Sequence, residues 1–255
     1  MKIIPDPEAP PVVKDMTHDA LHDLIHFDKK IFRTLPVLLF KPGLLTEKTL
    51  EEPQSRYVRP FTLFVFINFL FFLVKSKGIF NYKLDTYMNI FEGMILKKQA
   101  ALHVTMSILA ERFNMAIHFE EKEYLIIMVP LFALILMLLF INRKTRYPDH
   151  LIFSLHFYSF LIIFLLLIPY ILWPVQWILT AIHSRIDLTH SELSFILIII
   201  VVTFIYLLLA LRRLYRQNIL FTILKSLFLS CAVIFLIAYV YRIALFFIVM
   251  RSISE

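Results

Sequence analysis

The chain has 255 residues, of which 60% are hydrophobic and 18% charged, with a formal net charge of +7. Its mean hydropathy is +0.77 and soluble domains carry closer to a quarter charged residues, so the composition excludes an ordinary soluble domain and points to an all-α, polytopic transmembrane bundle. The positive charge has no aromatic-basic interleaving on a soluble domain, so it points to anionic lipid headgroups and not to nucleic acid.

Residues 1–16 hold Pro5, Pro7, Pro10 and Pro11 and read as an extended, mobile tail without the apolar core of a cleaved signal peptide. From Thr17, apolar residues at Leu21, Leu24, Ile25, Ile31, Phe32, Leu35, Leu38 and Leu39 recur at three- and four-residue steps. They predict a cytoplasmic amphipathic, interfacial helix, with its linker, over 17–56. On it His18, His22 and His26 form one stripe at four-residue steps. Two imidazoles so spaced can share a metal, but no further ligand is fixed by the sequence, and a solvated histidine face is the default reading.

Lys41-Pro42-Gly43 is a helix stop, and Arg56-Tyr57-Val58-Arg59-Pro60 sets cations against a proline at a helix start. Arg56 and Arg59 then face headgroups at the entry to a first span over 57–74, where no residue from Phe61 to Val74 is charged. Residues 75–123 follow as an external amphipathic segment of nearly balanced charge. Further spans are expected within 124–250, over Leu125–Ile141, Leu151 to about Trp173, Leu193–Leu211 and about Ile219–Met250, with a short tail over 251–255. Asp149 is placed to cap the third span, and Tyr170, Trp173 and Trp177 mark its far interface. The last stretch exceeds one crossing, which predicts tilt or ends lying along the interface.

Arg143, Lys144 and Arg146 follow the second of about five spans, and Arg212, Arg213 and Arg216 follow the fourth. The positive-inside rule makes both loops cytoplasmic, with their six cations at the lipid headgroups, the N-terminus on the same side and the C-terminus outside. The phenylalanine content, 26 residues against three glycines, implies helices that pack through large side chains and lack a GxxxG seam. The single cysteine, Cys231, permits neither an intramolecular disulfide nor a thiolate zinc site.

Intramembrane polar residues are few. Asn68 and His156 are the candidate pair, either as a structural hydrogen bond or as a solute site, if the first and third spans are neighbours. Lys225 and Arg242 are expected to snorkel towards headgroups. His150 and His156, six residues apart, do not share a helix face and make a poor metal pair. No span contains Asp or Glu, and the chain has no HExxH, no GxSxG and no glycine-rich phosphate loop.

Leu21-His22, His26-Phe27-Asp28, Thr34-Leu35, Pro42-Gly43, Arg56-Tyr57 and Pro60-Phe61, followed later by Tyr147-Pro148-Asp149-His150 through His156, resemble a bacterial membrane-protein family built on a domain of unknown function. The resemblance implies the same junction before the first span and carries no established activity. The cysteine-rich zinc ribbon of many members has no counterpart here. The reading is a bacterial inner-membrane scaffold or accessory subunit, without a cofactor, that binds lipid, a membrane-protein partner or its own copies. The alternatives are a lipid or small-solute transporter using Asn68 and His156, and a histidine-based metal-binding protein.

Overall fold

The computed structural model describes residues 29–52, 56–74, 83–141, 145–182 and 192–253, and every element assigned among them is helical. The N-terminal tail, the His18, His22 and His26 stripe, Arg143 and Lys144 lie outside the described residues. In chain order the elements are α1 (29–40), α2 (Leu44–Glu51), α3 (Pro60–Leu73), α4 (Leu84–Leu102), α5 (Met106–Glu123), a 3₁₀ turn (Tyr124–Ile127) and α6 (Met128–Leu139). They continue with α7 (Tyr147–Ala181), α8 (Glu192–Tyr215), α9 (Ile219–Phe235), a π-helical stretch (Leu236–Tyr241) and α10 (Arg242–Ser252).

The bundle is built around α7, on which α2, α3 and α6 pack. Local chemistry starts this helix: Pro148 lies in its first turn, and the Asp149 carboxylate accepts the Arg146 N–H at 2.9 Å, covering a donor the helix cannot satisfy itself. Every residue from Phe153 to Ile162 is buried, as expected of a helix apolar on all sides. In lipid such a position is favoured by dispersion packing, since there is no water to expel between helices. Aromatic rings supply much of it: Phe157 stacks on Phe132 of α6 at 4.9 Å and Phe160 on Tyr206 of α8 at 3.7 Å. Towards its C-terminus α7 emerges from this core, and Tyr170, Trp173 and Trp177 are exposed there.

Among the described residues three helical segments are long and apolar enough to cross a membrane, Tyr147–Ala181, Ile196–Tyr215 and Ile219–Ser252. Pro60–Leu73 and Leu125–Leu139 are apolar but shorter; the 14 residues of α3 rise about 21 Å against a hydrocarbon core of about 30 Å. As the sequence predicts, α3 begins with Arg59 extended and Pro60 at its first position. Its Leu63, Phe64, Ile67 and Phe71 form one buried face, and the helix packs on α7 and α5.

The excess length of the last segment has a tertiary explanation. Helices α4 and α5 fold back as a pair, and α5 packs along α10. Phe91 stacks on Phe246 at 4.4 Å, and Tyr87 lies 5.0 Å from the same ring. Arg242 therefore does not simply snorkel: its Nη2 donates to the Thr86 carbonyl at 2.7 Å, while the Tyr87 hydroxyl donates to the Arg242 carbonyl at 3.2 Å. Lys225 places its ammonium 4.0 Å from the centre of the Phe140 ring, at the end of α6.

Candidate functional site

The turn between α1 and α2 decides how the basic end of the bundle is assembled. Gly43 has φ +78°, and a Cβ built there would lie 2.9 Å from both the Cα and the carbonyl oxygen of Ala210 on α8. Both the left-handed backbone and the close approach exclude a side chain. Arg213, less than one turn beyond Ala210, closes the contact by donating from Nη1 to the carbonyls of Pro42 at 3.0 Å and Lys41 at 3.3 Å. The short helix α2 thus packs against both α7 and α8, with Leu45 and Thr46 buried.

A groove of about 480 Å³ opens where this turn meets the end of α8. Lys41 with Phe40 forms one side and Arg212, Arg213 and Leu209 the other, while Glu47 and Arg216 line the remainder. Arg216 leaves the helix with φ +45°, and its Nη2 lies 3.6 Å from a Glu47 carboxylate oxygen. The Lys41 ammonium and the Arg212 guanidinium are exposed and have no ion-pair or hydrogen-bond partner among the described residues. The groove therefore offers unspent positive charge beside one acid already facing Arg216. At the far end of α2 the Glu51 carboxylate accepts from Lys48 at 2.9 Å, raising the ammonium pKa above its ordinary value, and this exposed pair stands apart from the groove.

Buried polar contacts tie the same region together. Thr46 Oγ1 and His156 Nδ1 are 2.9 Å apart, both buried, whereas His156 Nε2 has no hydrogen-bond partner among the described residues. Asn68 is half-buried on α3, and α3 does pack on α7. The expected Asn68–His156 hydrogen bond nevertheless does not form: the Asn68 Oδ1 and His156 Nε2 atoms have no hydrogen-bond partner among the described residues, and the histidine's hydrogen bond is with α2, which no apolar run marks as part of the core. Thr34 accepts the Val58 N–H at 3.1 Å, joining α1 to the junction before α3. Ser154 of α7 donates to the Val129 carbonyl of α6 at 2.7 Å, next to Pro130.

His150 and His156 have separate partners. His150 lies between Tyr215, whose hydroxyl is 2.8 Å from Nδ1, and Thr145, whose hydroxyl is 3.1 Å from Nε2. A neutral imidazole donates through one nitrogen and accepts through the other, so one of these hydroxyls accepts and the other donates. Tyr215 also stacks on Phe140 at 3.7 Å, so the helix ends flanking both basic loops meet at this end of the bundle. No cluster of three potential metal ligands occurs among the described residues.

Of the residues predicted to meet headgroups, Arg212, Arg213 and Arg216 are brought together in the groove, while Arg56, Arg59 and Arg146 are exposed outside it. Glu47, Thr46 and Ala210 carry no signal in the sequence, and Lys41 enters it only as part of the helix stop. The Pro42-Gly43 step was the available signal for the turn, and nothing local named the surface against which it packs. Residues 28–72 match a family model described as a protein of unknown function (DUF3667). Neither the curated proteins nor the solved structures compared with the chain give a match. The matched region covers α1, the Pro42-Gly43 turn, α2 and nearly all of α3. It supplies part of the groove but not the arginines of α8.

Proposed function

We propose that the protein is a non-enzymatic scaffold or accessory subunit of a bacterial inner membrane, attached through its basic face to anionic lipid and, through it, to a membrane partner. The observation that carries this reading is the gathering of Lys41, Arg212, Arg213 and Arg216 around one groove at one end of the bundle. Much of the polar chemistry of the interior is spent on helix contacts, as in Thr46 with His156, Ser154 with Val129 and His150 with Tyr215. That use of polar groups suits a structural component.

In this reading the chain crosses five times, with α3 and the Leu125–Leu139 segment as short crossings accommodated by local thinning of the bilayer. The basic groove faces the cytoplasm, in line with the charge bias of the loops.

The test is native mass spectrometry of the full chain released in a mild, lipid-retaining detergent. Retained anionic lipid or a stoichiometric partner is the expected result. A bare monomer that exchanges anionic and zwitterionic lipid alike would remove the proposal.

A further inference from the structure

We infer that the groove between the Pro42-Gly43 turn and the end of α8 is a discrete site for one anionic phospholipid, whose phosphate is held by Lys41 and Arg212; this rests on the lipid-binding reading above and makes it specific. Two independent features support a lipid. Lys41 from the turn and Arg212 from α8 both line the groove, their charged groups without partners among the described residues, and Arg213, fixed through Nη1 to the turn carbonyls, adds a positioned positive charge to the same lining. A planar guanidinium and a mobile ammonium are the donors that phosphate oxygens accept best.

The second feature is an apolar track that ends at this charge. Leu197, Val201, Ile205 and Leu209 are spaced four residues apart on α8, and each is about half exposed, at 51%, 52%, 49% and 49%. They share one face of the helix, and Leu209 itself lines the groove. The track is about 18 Å long, comparable with the roughly 15 Å depth of one leaflet's hydrocarbon. Phe40, exposed at 80%, adds an apolar edge on the facing side of the groove. A soluble phosphate uses the charges and leaves this track idle, whereas a phospholipid uses both.

Glu47 sets the threshold for occupancy. Its carboxylate faces Arg216 at 3.6 Å and repels an incoming phosphate, so loss of its charge strengthens binding. Each cation near a membrane surface contributes about fivefold to anionic-lipid affinity. Removing Lys41 and Arg212 together therefore lowers affinity by about thirtyfold.

The experiment titrates the full chain in mild detergent with phosphatidylglycerol, with phosphatidylcholine and with inorganic phosphate alone, counting bound ligands by native mass spectrometry. The expected result is one tight phosphatidylglycerol per chain that millimolar phosphate does not displace. It is weakened about thirtyfold in the K41A/R212A double variant and strengthened severalfold in Glu47→Gln. Neither replaced side chain has a hydrogen-bond or ion-pair partner among the described residues, and a thermal melt checks that the double variant stays folded.

Equal affinity for the two lipids overturns the site and the reading on which it rests. Graded, unsaturable phosphatidylglycerol retention, lowered no more by K41A/R212A than by R56A/R59A, overturns the site alone and leaves the basic-face reading. Inorganic phosphate binding by itself with the same dependence on Lys41 and Arg212 makes this a soluble-phosphate site and refutes the lipid. Dimer ions that replace the bound lipid assign the face to a second copy and also refute it.

Discussion

Replacing Gly43 with alanine tests the junction on which the groove depends. The residue adopts φ +78°, and the new methyl would lie 2.9 Å from the Cα and carbonyl oxygen of Ala210, both backbone atoms of a packed helix that cannot swing aside. An L-residue held in the left-handed region costs roughly 1–2 kcal/mol, and overpacking of a close contact costs roughly 1–3 kcal/mol more. The expected loss is therefore about 2–5 kcal/mol, or about 5–15 °C in Tm on the scale of domains of this size. Gly93 is the matched control: it lies within α4 with no atom within 4 Å of a built Cβ, so Gly93→Ala is expected to stabilise by about 0.5–1 kcal/mol. Thermal unfolding of both variants in the same detergent measures the difference in sign. Unchanged stability in Gly43→Ala would refute the claim that the turn is seated against α8.

The Thr46–His156 bond and the orientation of the chain give two further tests. Thr46→Val keeps the shape but strands the buried Nδ1 of His156, at a cost of about 1–3 kcal/mol, and the T46V/H156L pair, which removes both polar partners, is expected to be less destabilised than the sum of the single variants. Strict additivity in that double-mutant cycle would mean the contact contributes nothing. For orientation, cysteines at Lys41 and Lys97 in a Cys231→Ala background report sidedness through a membrane-impermeant maleimide. Intact cells should label position 97 only, and labelling at position 41 before lysis would invert the proposed topology.

The class of the protein and many of its helix boundaries were legible in the amino-acid sequence, because both depend on short-range physics. Apolar runs without charge define the membrane-compatible helices, and the signals at Pro60, Asp149 and Pro42-Gly43 act within a turn of where they stand. Capping and periodicity reach about four residues along a helix. The tertiary structure alone decided which polar groups meet. Thr46 is 110 residues from His156, and Arg213 is 171 residues from the Pro42 carbonyl it holds. Asn68 was a reasonable partner for His156 by helix adjacency, but Thr46 of α2 takes the histidine's Nδ1, and Gly43, just before α2, lets the chain approach Ala210 more closely than any side chain would allow. The excess length of the last helix was likewise legible as an anomaly. Its cause was not, because the surface that covers α10 belongs to α4 and α5, more than a hundred residues earlier in the chain.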